Sequence, residues 1–279
     1  YLDEEVWSKA VIIKGFSNFL PVDGGMARDD ASIYMWYGDD AIYFGVIAQA
    51  KKDEIRSTLA DRDKLESDDY FLFILDTYND QRTAYAFAVN PIGQQYDGTI
   101  TDRVPDRRAA MPFSIDKNPD YVFDSKGRIT DEGFVIEIKI PLKSLRFSSN
   151  EVQTWGFNVL RRVQHSRYWT SVIPLKLGEA SFLAQNGKLK NITNLKSKRL
   201  FDINPELRSA MSRLQQDKDF SSQTLDPLGV NVRYGLSNNT VLNATLNPDF
   251  SQIEADVAQI SYEPRRAVYF PEKRPFFLD

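Results

Sequence analysis

Carboxylates around one hydrophobic segment carry much of the chemistry that this sequence offers. Asp residues lie on both sides of the apolar run at residues 69–76. Calcium binds about six to eight hard oxygens from carboxylates, amides and carbonyls, often on loops. The sequence predicts a structural calcium site that pins these loops, with the following candidate ligands: Asp61, Asp63, Asp68, Asp69, Asp76 and Asp80. Alternatively, these residues cap turns and cover a solvated face.

The tryptophans are the second group with binding chemistry, because sugar rings stack on exposed aromatic faces while nearby polar groups contact the hydroxyls. Trp155 stands in a Trp-Gly-Phe-Asn strand and is predicted to lie in the core. Trp36 lies in a strand beside a turn, and Trp169 follows Arg167 and Tyr168. Trp36 and Trp169 are therefore the candidate ligand-binding residues, with a core position as the alternative for each.

Catalytic chemistry has little support in the sequence. His165 is the single histidine, and no nucleophile-elbow motif accompanies it. No carboxylate pair is marked out for glycoside hydrolysis, since Glu137 lies on an alternating strand. We predict a protein that is not an enzyme and has no catalytic residue.

Composition restricts the partners. The 279 residues carry a net charge of −4 without a long basic run, which argues against nucleic-acid binding. The absence of cysteine excludes disulfides. No run of about 18 apolar residues indicates a transmembrane helix. The chain opens in sequence typical of a folded domain, so we expect that a signal peptide has been removed.

The pattern of apolar residues predicts an all-β protein. β-rich runs separated by turn residues, with little helical periodicity, are typical of a jelly-roll or immunoglobulin-like sandwich. A short helix or an irregular loop is expected at 51–67 and 142–147. Predicted strands cover residues 31–37, 41–48, 69–76, 83–90, 134–141, 154–160 and 167–173.

The last part of the chain has a different texture. We predict a sandwich domain at 1–200, a connector at 201–225 and the start of a further domain at 226–279. Residues 229–236 and 240–247 alternate around a turn and resemble transmembrane β-barrel strands. The pattern alone leaves open an ordinary hairpin packed on the sandwich.

Two family resemblances bear on these alternatives. Residues 37–48, 68–76 and 133–145 resemble strands of the family 9 carbohydrate-binding modules, whose sugar-binding members clamp a sugar between two Trp rings. A longer series of motifs is similar to a bacterial outer-membrane family that joins such a sandwich to a C-terminal β-barrel domain of unknown function. These motifs lie at residues 76–80, 84–93, 145–147, 155–158, 247–252 and 270–277.

The resemblance implies a protein of the Gram-negative outer membrane, with the sandwich in the periplasm or at the cell surface and a barrel that continues past Asp279. Three functions stay open: a non-catalytic module that binds a glycan or glycoconjugate, a plug or gate of a barrel transporter, and a carbohydrate hydrolase. The first leads. The expected partners are a glycan, the membrane and other envelope proteins, without nucleic acid.

Overall fold

The chain divides into two compact units, Tyr1–Lys198 and Arg199–Asp279. The computed structural model describes residues 5–59, 62–101, 113–179, 181–195, 201–210, 224–237 and 240–247. In these ranges, the first unit holds strands β1–β13 and the second holds β14–β16. The all-β class predicted from the sequence is confirmed.

The strand bounds follow the chain order. They are β1 Val11–Ile13, β2 Ser17–Leu20, β3 Ala31–Tyr37, β4 Ala41–Gln49, β5 Tyr70–Asp76, β6 Thr83–Val89, β7 Gln95–Thr101, β8 Ser114–Asp116, β9 Asp124–Ile129, β10 Gly133–Pro141, β11 Val152–Val163, β12 Tyr168–Ser171, β13 Gly187–Thr193, β14 Phe201–Ala210, β15 Thr224–Ser237 and β16 Thr240–Leu246. Short 3-10 segments occupy Glu5–Lys9, Leu142–Ser144 and Leu183–Gln185. The described part of 51–67 is irregular and contains turns.

The smaller sheet of the first unit has the order β1-β3-β4-β10-β9, and all of its pairs are antiparallel. The alternation of strand β10 explains why this sheet forms. Phe134, Ile136 and Ile138 are buried, whereas Glu137 and Lys139 are half-exposed. Alternate side chains point to opposite faces of a strand, so β10 has one face in the core and one towards water.

The larger sheet has the order β2-β12-β11-β5-β6-β7-β8. Strand β13 also pairs with β11, along residues 152–157, and β12 pairs with its far end at 160–163. The long strand β11 therefore carries β5 along one edge and two shorter strands along the other.

Strand β5 is buried on both faces, as its apolar run predicts. Phe71, Phe73 and Leu75 belong to the core that both sheets share. Leu72 and Ile74 belong to a second apolar cluster on the other face of the larger sheet. This second cluster is closed by apolar residues outside the sheet, at Leu65, Phe113, Leu175, Phe182 and Leu183.

A buried cation connects the two sheets. Arg161 is only 2% exposed, and its guanidinium lies 5.5 Å from the ring of Phe71 and 5.6 Å from that of Phe134. Its Nη1 and Nη2 atoms donate to the backbone oxygens of Asp29, Asp30 and Gln49 at 3.0–3.1 Å. Buried cations are tolerated when they are hydrogen-bonded, so Arg161 holds the segment that leads into β3.

In the second unit, β14, β15 and β16 form an antiparallel sheet in that order. Leu242 and Leu246 on β16 are 54% and 71% exposed, and Ala244 between them is exposed too. Asn243 and Thr245, which alternate with them, are half-buried. The apolar face of this strand is thus more exposed than its polar face.

The residues that pair with Ala244 across the neighbouring strands are apolar as well. Val232 of β15 pairs with Ala244 on one side and with Ile203 of β14, which is 52% exposed, on the other. Directly paired residues share a face of a sheet. On the opposite face, the Thr245 hydroxyl donates to Asn231 Oδ1 at 2.5 Å.

Among the described residues, none of the helices is long and apolar enough to cross a membrane.

Candidate functional site

A row of three side chains crosses the outer face of the larger sheet near the start of β5. Arg162 of β11 pairs directly with Trp169 of β12 on one side and with Tyr70 of β5 on the other. The turn between β11 and β12 closes with Arg167 at φ +61°. This hairpin fixes the register that brings Trp169 beside Arg162.

The three side chains contact one another. The rings of Tyr70 and Trp169 meet edge to face, with centroids 5.4 Å apart. The Arg162 guanidinium lies 5.5 Å from the centroid of the Trp169 ring, within the range of a cation–π contact. Arg162 Nη1 donates to the Arg167 carbonyl at 2.8 Å, and Nη2 donates to Gln164 Oε1 at 3.0 Å.

A second aromatic–cation pair adjoins this row. Lys117 Nζ lies 4.8 Å from the ring centroid of Tyr96 in β7, and it forms an ion pair with Glu66. Lys117 also donates to the backbone oxygen of Asp63 at 3.3 Å. These six residues are called the Trp169 cluster below: Glu66, Tyr70, Tyr96, Lys117, Arg162 and Trp169.

The cluster is rich in hydrogen-bond donors that have no acceptor in the described part of the chain. Tyr70 and Tyr96 hydroxyls and Trp169 Nε1 make no hydrogen bond there, and they are not fully buried. Burial raises the pKa of Tyr70 and Tyr96, so both phenols stay protonated across the physiological range. A bound molecule can therefore accept hydrogen bonds from them while it lies against the half-buried Trp169 ring.

Trp36, the other predicted ligand residue, lies on β3 of the smaller sheet. Its ring stacks on Tyr43 at 4.2 Å, with the planes within 3°. Its Nε1 is buried and has no partner among the described residues. The structure therefore does not bring Trp36 and Trp169 together, and these two rings do not form a clamp. Trp155 is fully buried, which confirms its predicted place in the core.

The predicted metal ligands before β5 make internal contacts. Both Asp68 oxygens accept from the Thr58 hydroxyl, and Oδ2 also accepts from Thr58 N at 3.0 Å and from Asn90 Nδ2 at 2.9 Å. Asp69 accepts from the backbone N–H groups of Arg56 and Gln164 at 2.8 and 2.6 Å. These carboxylates fix the loops before β5 and after β11.

The remaining predicted ligands lie elsewhere. Asp76 accepts from the N–H groups of Asp80 and Gln81 in the turn after β5, about 20 Å along the strand from Asp69. Asp63 accepts from Asp97 N at 3.1 Å. Asp61 lies outside the described residues.

The described carboxylates therefore do not by themselves fit a calcium site. In the described ranges, no three His, Asp or Glu side chains come together as a metal site. Their oxygens accept internal hydrogen bonds instead of converging on a common point. Calcium binding by this chain stays a prediction.

An ion pair that sequence reasoning missed holds the loop before β5. Arg62 Nε and Nη2 donate to Asp97 Oδ1 at 3.0 and 2.6 Å, and Nη2 also donates to the Tyr121 carbonyl at 2.6 Å. Tyr121 N donates to the second Asp97 oxygen at 2.6 Å. Burial raises the pKa of Asp97, whereas the contacts with Tyr121 and Arg62 oppose that rise.

Sequence reasoning also missed most of the Trp169 cluster. The adjacent pair Arg161 and Arg162 in a strand with no other charged residue was a signal, because two neighbouring cations in a strand lie on opposite faces. Arg161 faces the shared core and Arg162 faces the cluster. For Tyr70 and Tyr96, no local pattern distinguished them from other strand aromatics.

Comparison with known proteins gives one family match. Residues 199–279 match the model of a family described as a domain of unknown function, DUF5916. This range coincides with the second compact unit. No curated protein matches the sequence.

Solved structures resemble about two thirds of the chain. A carbohydrate-binding module of family 9 from Caldicellulosiruptor kristjanssonii, in complex with cellotriose, is 11% identical, with a TM-score of 0.45. The match covers 70% of this chain and 87% of that module. A candidate carbohydrate-binding protein from Bacteroides uniformis is 14% identical, with a TM-score of 0.48 and coverage of 66% and 87%.

Proposed function

We propose that the first unit is a non-catalytic domain that binds a glycan at the Trp169 cluster. One observation carries the proposal: the half-buried Trp169 ring lies in a cluster where Tyr70, Tyr96 and Trp169 itself offer donors that have no acceptor among the described residues. Sugars present C–H faces that pack on an aromatic ring and hydroxyls that need hydrogen-bond partners at its rim. The cluster offers both on one face of a rigid sheet.

The test compares Trp169 with Trp36, because the sequence predicts both as ligand-binding residues. Binding of the full chain to a panel of soluble neutral and acidic oligosaccharides is measured by calorimetry. We expect Trp169→Ala to weaken binding at least tenfold, about 1.4 kcal/mol. We expect Trp36→Ala, on the other sheet, to leave binding unchanged. Absence of glycan binding by the native chain, or its loss in Trp36→Ala alone, would overturn the proposal.

The second unit supports a proposal about location. We propose that the protein acts at the outer membrane of a Gram-negative bacterium and that β14–β16 are strands of a β-barrel with their apolar face towards lipid. The support is the exposure of Leu242, Ala244 and Leu246 opposite the polar, half-buried Asn243 and Thr245. Strands in lipid alternate between apolar outward and polar inward side chains.

The absence of cysteine from the chain allows a clean test of this orientation. Leu246→Cys and Thr245→Cys are each labelled with an environment-sensitive fluorophore, and the protein is reconstituted into phospholipid vesicles. We expect a lipid-soluble quencher to reduce emission from position 246 but not from the adjacent position 245. Equal quenching at both positions would contradict a lipid-facing β16.

A further inference from the structure

Arg162 has an unusual place in the Trp169 cluster, because no carboxylate of the described residues is in contact with its charge. Its two hydrogen-bond acceptors, the Arg167 carbonyl and Gln164 Oε1, are both neutral. In the described part of the chain, Arg162 forms no ion pair within 4.0 Å. Its pKa is lowered by burial, whereas Tyr70 and Asp69 oppose that effect. A partly desolvated cation is thus left to be neutralised.

Among the six residues of the cluster, Lys117 and Arg162 are cations and Glu66 is the one anion, so the cluster itself is positive. Lys117 is neutralised by its ion pair with Glu66. Asp69 acts on both Arg161 and Arg162, but it is a single carboxylate shared by two cations. Its oxygens already accept backbone N–H groups, and it is only 5% exposed. Arg167 adds a further cation next to Arg162.

The unpaired polar groups of the cluster have the same bias. Trp169 Nε1 can only donate, and the Tyr70 and Tyr96 phenols stay protonated and can donate. Glu66 is the carboxylate of the cluster, and it accepts a hydrogen bond from Lys117. A molecule that fits here supplies acceptors and a negative charge. A carboxylate meets this need, since it accepts only, and it matches the planar fork of a guanidinium.

We infer that the bound glycan is acidic and carries a uronic acid residue whose carboxylate lies on Arg162. This inference rests on the proposed glycan binding, and it names the class of sugar. The Trp169 ring supports the sugar, and the Tyr70 ring, 5.4 Å from it edge to face, borders the same position. Such a site binds an acidic sugar more tightly than a neutral sugar of the same shape.

The experiment uses a matched pair of ligands with the full chain. Oligogalacturonides are compared with the same oligomers after methyl esterification, which removes the charge and keeps the sugar. We expect the acid to bind at least tenfold more tightly, and we expect this preference to shrink between about 50 mM and about 500 mM salt. Titrations follow binding by calorimetry.

Variants then assign the preference to one side chain. Arg162→Gln is expected to abolish the preference for the acid, and Arg162→Lys is expected to keep part of it. Arg82→Gln is the control, because Arg82 is exposed in the turn at the other end of β5 and loses the same charge. Thermal unfolding of each variant verifies that it is folded. If Arg162→Gln does not fold, a reduced preference for the acid in Arg162→Lys is the test instead.

The outcomes separate the two proposals. Preference for the acid that disappears in Arg162→Gln and persists in Arg82→Gln supports the inference. Equal binding of acid and ester by the native chain overturns it and leaves glycan binding in place. If neither ligand binds and the wider oligosaccharide panel is also negative, both proposals fall.

Discussion

The Arg62–Asp97 contact gives a stability prediction with a definite dependence on pH. The perturbation is Arg62→Ala, after which the Asp97 carboxylate, 1% exposed, keeps the N–H of Tyr121 as its one donor among the described residues. The guanidinium supplies two hydrogen bonds to that carboxylate at 3.0 and 2.6 Å. Its removal therefore strands a buried charge beneath the loop that leads to β5.

The magnitude follows from these contacts. Charge-assisted hydrogen bonds contribute about 1.5–3 kcal/mol each, so two give an upper limit of about 3–6 kcal/mol. The Arg62 side chain is 36% exposed, which means that water already screens part of the interaction. We expect Arg62→Ala to lower the free energy of unfolding by about 2–3 kcal/mol at neutral pH.

The pH dependence comes from the pKa of Asp97. Burial raises this pKa in the native protein, and Arg62 opposes the rise, so the variant has a still higher folded-state pKa. A group whose folded-state pKa exceeds its unfolded value stabilises fully below the unfolded pKa and loses that stability as pH rises through the folded pKa. The deficit of Arg62→Ala is therefore largest near neutral pH and shrinks towards about pH 4.

Urea unfolding followed by tryptophan fluorescence, to which the fully buried Trp155 contributes, measures this deficit at a series of pH values. Asp97→Asn and the double variant complete a double-mutant cycle, which isolates the coupling between the two side chains. Arg82→Ala, an exposed arginine, is the control. A deficit below about 0.5 kcal/mol, the level of ordinary surface substitutions, or one that grows on acidification, refutes the reasoning.

Three further predictions concern the frame of the first unit. Gly133→Ala should lower the free energy of unfolding by more than about 1 kcal/mol, because φ is +146° and an added Cβ would lie 2.0 Å from the Ala48 oxygen. Gly178→Ala, where an added Cβ meets nothing within 4 Å, should be near neutral, and thermal melts compare the two variants. Phe73→Ala, in the shared core, should cost about 3–5 kcal/mol in urea unfolding, and a loss below about 1 kcal/mol would contradict its burial. Burial raises the pKa of Asp76, so the contribution of this carboxyl group to stability falls as pH rises above about 4. Asp76→Asn should reduce the dependence of the free energy of unfolding on pH in this range, and an unchanged dependence would contradict the prediction.

The strands of the sandwich could be predicted where the pattern was local. Strand β10 alternates cleanly, and the continuous apolar run of β5 indicates burial on both faces, so both were found from the sequence. Strand β9 (Asp124–Ile129) was missed, because its mostly polar residues show no apolar periodicity. It forms through pairing with β10, which is a tertiary contact.

The candidate site was harder, because it depends on the register between distant strands. Tyr70 meets Trp169 only because both flank Arg162 across β11, and nothing local to any of the three specifies that pairing. The acidic residues show the opposite effect. Their density predicts a metal site, which stays a prediction. The structure adds that Asp68 and Asp69 accept hydrogen bonds from loops that the sequence alone does not bring near.

The pairing of β2 with β12 has a consequence for how the chain acquires its fold during synthesis. Ser17 and Ser171 are 154 positions apart and yet directly paired. At about 5–20 residues per second, the ribosome needs roughly 8–30 s to deliver the partner of β2 after β2 itself. Strand β1, a few residues earlier, pairs with β3 of the other sheet and finds its partner far sooner. The N-terminal segment can therefore pair early with the smaller sheet, whereas the apolar side chain of Phe19 stays without its packing partners until the larger sheet has been synthesised.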